Sequence, residues 1–313
     1  MKLYFAPLEG LTGYIFRNAY EKHYGHIDKY FAPFTSPADK CAITPRDRKD
    51  LIPDNNKGIF LVPQILTNRS DHFIDALKEL NSFGYKEVNL NLGCPSGTVC
   101  AKGKGAAFLT EPEKLRDFLE DIYSFSENQG LSVSIKTRLG YKDCEEFRRL
   151  LEIFNEFPIS ELIIHPRIRE DFYKDAPHRE YYHYALDNAK VPLVYNGDIR
   201  SKDDYDSLCQ EMGQNIDTVM IGRGLLTRPL LSEELQNGNT SSDHARFWEF
   251  HDELYKEYKK VMSPDINVLY RMKELWTYWS VSFEDIEREK KHLLKAKKCI
   301  DYEDAVNRIK GKT

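Results

Sequence analysis

Short apolar runs, rich in β-branched and aromatic residues, alternate with longer amphipathic stretches along most of this chain. Eight runs have the length and alternation of strands: Lys2–Ala6, Lys29–Pro33, Ile59–Ile65, Glu87–Asn91, Ser132–Thr137, Glu161–His165, Leu193–Tyr195 and Thr218–Ile221. Between them, Ser70–Phe83, Pro112–Phe125, Cys144–Phe157 and Lys202–Met212 carry helical spacing. Ser70 and Asp203 lie near helix starts, and Gly84 and Gly213 just past helix ends. Strand–helix alternation repeated over about 230 residues predicts an α/β fold of the (β/α)8, or TIM-barrel, type, with a doubly wound open sheet as the alternative. The segment 34–57, rich in Pro and Asp, breaks the rhythm and reads as a long irregular connection at the rim. Past the linker-like cluster Gly238-Asn239-Thr240-Ser241-Ser242 the chain is strand-free and helical. The pattern therefore divides into a barrel over 1–240 and a small C-terminal helical domain over 241–313.

Composition narrows this picture. The chain has 313 residues, 41% hydrophobic and 30% charged, enough for one large domain and a small one. No apolar run approaches the roughly 18 residues of a membrane span. The first residues enter a strand directly, with no h-region and no cleavage site, and the cysteine usage points to a reducing cytoplasm, apart from any membrane. Six scattered cysteines show neither C-x-x-C nor paired Cys/His spacing, which argues against a metal centre and against disulfides. With a net charge of −5, any nucleic-acid contact must use a local patch. The most basic run, Arg288–Lys298, is by default a solvated helix face. It becomes a contact to RNA phosphate only if the barrel chemistry calls for RNA.

In such a barrel the site is built at the C-terminal ends of the strands. Those ends carry Pro7 and Glu9, Gln64, Asn91 with Cys94, Lys136 with Arg138, His165 with Arg167, Asn196-Gly197-Asp198, and Gly222-Arg223-Gly224. Polar groups at nearly every exit make a site. Cys94 sits in a Gly93-Cys94-Pro95 turn after a strand whose Asn89 and Asn91 face away from Val88, Leu90 and Leu92. Taken alone, that thiol could be an active-site group or a small buried hydrophobe. Lys136 falls on the face opposite Leu131, Val133 and Ile135, so it points into the barrel. A buried ammonium needs an anion, either a barrel carboxylate or a bound group. Glycine pairs at 197 and 222–224 let backbone N–H groups approach a ligand, and Arg223 offers a fork for phosphate oxygens. His165 reads either as a satisfied core histidine or as a site residue, and Arg167 and Arg169 in the turn after it suggest a nearby anion. Gly103-x-Gly105 lacks the third glycine of a dinucleotide fingerprint and is set aside.

With these residues in view, the chain resembles the tRNA-dihydrouridine synthases over essentially its full length. The resemblance rests on Ala6–Thr12 with Phe16-Arg17, Val62-Pro63-Gln64, Asn91–Pro95 with Val99 and Lys102–Leu109, Lys136-Thr137-Arg138, His165-x-Arg167-x-Arg169, Asn196–Ile199 and Gly222-Arg223. It departs at Asp171, where the family often has Gln, and matches only loosely towards the C-terminus. The resemblance implies an FMN-binding barrel that uses NADPH to reduce the flavin and acts on uridine in RNA, tRNA ahead of other structured RNA, with the helical domain over 241–313 helping to hold the RNA; a monomer is expected. It implies hydride transfer from flavin N5 to uracil C6 and a proton from Cys94 to C5. Pro7, Leu8 and Glu9 would lie along the flavin, Gln64 and Lys136 would contact its ring, and His165 would lie beside ring or substrate. Asn196, Gly197, Asp198, Gly222 and Arg223 would take the phosphate end. Asn91, Arg138, Arg167 and Arg169 are the candidate substrate contacts, and Cys94, Lys136 and His165 the catalytic set. Two rivals differ in class: a dihydroorotate-dehydrogenase-like flavoprotein acting on a free pyrimidine, and an RNA-binding module whose catalysis has lapsed. The aromatic, basic C-terminal segment speaks against the first, and the Cys94/Lys136/His165 set against the second.

Overall fold

Among the described residues nine parallel strands form one sheet: β1 (Lys2–Phe5), β2 (Lys29–Phe31), β3 (Leu61–Val62), β4 (Gln64–Ile65), β5 (Glu87–Leu92), β6 (Ser132–Gly140), β7 (Leu162–Ile168), β8 (Leu193–Tyr195) and β9 (Thr218–Ile221). The computed structural model describes residues 1–238 and 243–313. Residues 239–242 of the linker-like cluster, and the boundary expected after residue 240, lie outside the described residues. The strand order is β3-β2-β1-β9-β8-β7-β6-β5-β4. Its two ends, β3 and β4, are the halves of the expected Ile59–Ile65 strand, separated only by Pro63. Proline has no N–H to donate, so the ladder breaks there while the ring of strands closes across it. The fold is a (β/α)8 barrel with C-terminal helices.

Two strands run further than the alternation suggested. β6 and β7 pair from Ile135↔Leu162 to Arg138↔His165, then slip to Gly140↔Ile168. Three residues of β7 thus oppose two of β6, a bulge that seats Pro166 where no donor is needed. The rim segment 34–57 is more ordered than expected. It contains a helix, Pro45–Leu51, capped by Thr44, whose hydroxyl accepts from the Asp47 N–H. Ser201 caps the helix Lys202–Met212 in the same way, and Gly213 ends it at φ 68°.

The alternation along the strands sorts their side chains between two cores. Leu3, Phe5, Leu90, Val133, Ile135, Ile164 and Val219 pack outwards against the helices. Tyr4, Ala6, Phe31, Val62, Ile163, Val194 and Met220 fill the barrel interior. The interior wall of β4–β6 is polar instead. Gln64 Nε2 donates to Asn89 Oδ1 (2.8 Å), Asn89 Nδ2 to Ser134 Oγ (2.9 Å) and Asn91 Nδ2 to Gln64 Oε1 (2.7 Å). At the N-terminal mouth Lys29 bridges Glu87 and Glu161, each at 2.9 Å, and Tyr4 donates to Glu161. That closed end belongs to stability, and the open end to the site.

The C-terminal helices His244–Val261, Asp265–Trp279, Glu287–Lys295 and Cys299–Lys310 share an aromatic core around Trp276, Trp279 and Tyr302. They join the barrel through Phe250, whose ring meets that of Phe16 (5.6 Å) on the helix Tyr14–His23 and that of Tyr24 (5.3 Å) just past its end. Among the described residues no helix is long and apolar enough to cross a membrane, and no His/Cys/Asp/Glu group could hold a metal ion.

Candidate active site

A cavity of about 300 Å³ opens at the C-terminal ends of the strands. Pro7 and Leu8 after β1, Lys136 and Arg138 on β6 and His165 on β7 line it. So do Asn196-Gly197-Asp198 after β8, Gly222-Arg223 after β9, and Gly93 beside Cys94. Most of the residues read from the strand ends therefore meet around one space.

Lys136 has no hydrogen-bond or ion-pair partner among the described residues, which removes the barrel salt bridge as its explanation. Burial, with Arg138 nearby, brings its ammonium down from 10.5 to about 7. A cation so placed attracts an anion into the cavity.

Cys94 is held by its surroundings. The Asn91 Oδ1 accepts from the N–H groups of Gly93 and Cys94, both at 3.0 Å, and fixes the turn after β5. The Cys94 carbonyl accepts from Ala106 N–H at 3.1 Å. A Cβ at Gly105 (φ 60°) would lie 2.8 Å from that carbonyl oxygen, so only glycine fits there. Gly105 of the Gly103-x-Gly105 pair thus serves the cysteine loop. Burial raises the Cys94 thiol, with Ser96 N–H and Arg138 pulling less strongly the other way. The thiol stays protonated near neutral pH and can act as an acid.

The geometry around His165 fixes its proton. Nδ1 lies 2.6 Å from the Asn196 carbonyl, which can only accept, and Nε2 lies 3.3 Å from Arg167 Nη1, which can only donate. His165 is therefore neutral, protonated on Nδ1. Burial and then Arg138 and Lys136 hold its pKa well below the ordinary imidazole range.

Two arginines expected at the substrate are held by hydrogen bonds within the protein. Arg138 donates to the carbonyls of Gly93 (3.0 Å), Ile168 (2.8 Å) and Phe172 (2.9 Å), tying the cysteine turn to the segment after β7. Arg167 donates to the Asp175 carbonyl (2.7 Å) and forks onto Asp198, with Nη2 at 2.7 Å. Both are about 1% exposed. Asp198 is shared between Arg167 and Arg223 Nη2 (2.5 Å). Burial pushes its carboxyl up, but the arginines outweigh it and hold the pKa below the usual value. Asn91 likewise faces Gln64 and the cysteine turn, and Gln64 sits beneath the cavity in the amide chain. Arg169 turns away onto the rings of Phe172 and Tyr141. Glu9 lies outside this cavity, half-exposed beside Arg46 at 3.5 Å.

Two aromatic residues complete the mouth and were not singled out in the sequence: Tyr173 and Tyr278. The Tyr173 ring lies 4.3 Å from the Arg223 guanidinium carbon and 5.2 Å from that of Arg138. Its position eight residues past a strand-end histidine is the only hint the sequence offers. Asp171 staples this segment, accepting from Ile168 N–H at 2.9 Å.

The fold is similar to that of histamine dehydrogenase from Rhizobium sp. 4-9 (TM-score 0.54, 13% identity, 80% of this chain and 46% of that one). It is also similar to that of a 2-naphthoyl-CoA reductase (TM-score 0.58, 10% identity, 76% of this chain and 50% of that one). At these identities the likeness is one of fold. In sequence the chain is 30% identical over 265 residues to a probable tRNA-dihydrouridine synthase of Staphylococcus aureus (strain Mu50 / ATCC 700699), covering 82% of this chain and 77% of that protein. It is 29% identical over 264 residues to the probable tRNA-dihydrouridine synthase 2 of Bacillus subtilis (strain 168), covering 82% and 78%. Residues 4–309 match the dihydrouridine synthase family. The chain belongs to that family of oxidoreductases.

Proposed function

We propose that this enzyme reduces uridine to 5,6-dihydrouridine in tRNA, with FMN as cofactor and NADPH as reductant. The observation that carries the reading is Lys136, a half-buried ammonium with no carboxylate partner among the described residues, facing the same cavity as Arg223 and the Cys94 turn. The residues present fit a flavin mononucleotide. Gly222 and Arg223 suit its phosphate, and Lys136 suits a ring that becomes anionic when reduced. Pro7 and Leu8 would form an apolar wall beside that ring, with Asn196, Gly197 and Asp198 at the phosphate end. Bound FMN would supply the redox chemistry, taking electrons from NADPH and giving hydride to uracil C6.

This chain's residues do the rest. Cys94 holds the proton that must reach C5, so that hydride and proton together saturate the double bond, and solvent reprotonates the thiolate. The raised thiol supports an acid and not a nucleophile. His165, neutral with both nitrogens engaged, serves as a fixed edge of the site and not as a proton donor. Arg138 and Arg167 act by holding loops. The six free cysteines support a reducing, cytoplasmic setting.

The test separates two half-reactions. The purified protein is expected to be yellow. Its flavin, reduced by NADPH, should be reoxidised by an unmodified tRNA transcript and not by orotate. Cys94→Ala should keep its flavin and its reduction by NADPH while slowing reoxidation on RNA by about 10²–10⁴-fold. Reoxidation of that variant at the wild-type rate would remove Cys94 as the acid. Turnover on orotate would give the protein a free pyrimidine as substrate.

A further inference from the structure

On most strands the barrel interior is apolar, filled from β7, β8 and β9 by Ile163, Val194 and Met220. On β4, β5 and β6 it is not. Gln64 pairs in register with Asn89, and Asn89 with Ser134, so three polar side chains stand in one row across these strands, all fully buried. Buried amides cost more than apolar side chains of their size unless their bonds are made. The apolar strands show that packing alone does not call for them.

The chain these residues form has one direction, set by its two ends. At the open end of the barrel, the N–H groups of Gly93 and Cys94 can only donate, so the Asn91 atom 3.0 Å from both is its oxygen. Asn91 then gives its NH2 to the Gln64 oxygen at 2.7 Å, which turns the Gln64 NH2 to the Asn89 oxygen at 2.8 Å. Asn89 in turn gives its NH2 to the Ser134 hydroxyl at 2.9 Å. At the other end the Val88 carbonyl, 3.3 Å from that hydroxyl, can only accept. A hydroxyl accepts from an amide and donates to a carbonyl through one atom, which is what this junction needs. Turning any one amide over would set donor against donor or acceptor against acceptor. Both ends demand the same order, and Ser134 closes it.

We propose that Ser134, acting through Asn89, Gln64 and Asn91, is a positioning residue for Cys94. By keeping the Asn91 oxygen under the N–H groups of Gly93 and Cys94, the chain fixes where the thiol is aimed. Its members are neutral amides and a hydroxyl, so the turn keeps that aim whatever charge the cavity holds. The consequence for the reaction rests on Cys94 being the proton donor; the aim itself does not.

The test is the reactivity of Cys94 in the flavin-loaded full chain, read in two ways. One is alkylation by iodoacetamide, followed at Cys94 by mass spectrometry, and the other is reoxidation of NADPH-reduced flavin by an unmodified tRNA transcript. Ser134→Ala leaves the Val88 carbonyl and an Asn89 donor unpaired and frees the amides to turn. It should be alkylated at Cys94 several-fold faster and reoxidised about tenfold more slowly, the rate equivalent of one hydrogen bond, with reduction by NADPH unchanged. Ser134→Thr keeps the hydroxyl and should restore both rates. If Ser134→Ala fails to fold, Ser134→Cys, which keeps the size and weakens the bonds, decides alone by the same two rates. Wild-type reactivity of Cys94 in the variant that folds would overturn the proposal. Equal slowing of flavin reduction and reoxidation would make Ser134 merely structural and overturn it as well. Faster alkylation in Ser134→Ala, with no reoxidation of wild type by RNA, would remove the RNA reading and support the positioning.

Discussion

At the scale of single residues, the site is governed by which polar groups the protein has already engaged. Lys136 was legible in the sequence because strand alternation fixes direction, and direction alone puts the ammonium inside. Its lack of a carboxylate was not legible, since that depends on the inward residues of every other strand. Lys136 leaves a measurable mark on stability. Its folded pKa, about 7, lies below the ordinary 10.5. Between those values the unfolded chain binds the extra proton, so stability rises with pH. The penalty is full below pH 7 and is relieved as pH climbs towards 10.5. Lys136→Met should therefore stabilise flavin-free protein by on the order of 2–3 kcal/mol near pH 6 and by less near pH 9. Urea midpoints for both proteins at the two pH values would show it, and a gap independent of pH would place the ammonium in water. His165 offers a sharper test. In ¹⁵N-labelled protein its Nδ1 should carry the proton and its Nε2 should not, with the signals assigned by their loss in His165→Asn. A proton on Nε2 would break the inferred contact with Arg167.

At the scale of elements, two prolines show where periodicity stops informing. Pro63 divides one expected strand into β3 and β4, and Pro166 rides a bulge in a strand that continues past it. Alternation predicts faces but not the donor bookkeeping of a particular ladder. The same limit hid the protein partners of Arg138 and Arg167. Both stand at strand ends as a substrate contact would, yet their partners are carbonyls of a loop whose course no local pattern reveals. Arg138 joins the Cys94 turn to the segment 168–172 through three hydrogen bonds, each of a kind worth about 1.5–3 kcal/mol to a charged donor. Arg138→Lys keeps the charge and loses the fork. It should free the segment that carries Tyr173, so that trypsin cuts after Lys174 much faster than in wild type. Equal cleavage rates would show that the strap is held by Asp171 and its neighbours alone.

For the molecule as a whole, the question is whether the C-terminal helices are an appendage to the barrel or part of its packing. The change of character near residue 240 was plain in the sequence, because strands stop and aromatics cluster. The interface was not, since aromatic residues serve a domain's own core and a neighbour's equally well. Phe250 is fully buried against Phe16 and Tyr20 of the first barrel helix and Tyr24 just after it. Tyr20 in turn stacks edge-on with Phe5 of β1, at 4.9 Å. A continuous aromatic path thus runs from the helical segment to a strand whose end lines the site. Removing residues beyond 240 would bare that path to water, and a barrel so exposed should lose cooperative unfolding and flavin together. Phe250→Ala is the finer version. It should cost about 3–5 kcal/mol in denaturant unfolding, as large-to-small changes of buried aromatics do. The barrel and the helices should melt in a single transition in both wild type and variant. Two separate transitions, with the barrel midpoint unmoved by the substitution, would make the helices an independent body. RNA affinity could then be removed by truncation without touching the flavin site. A single shifted transition would instead mean that the helices are an element the barrel cannot do without.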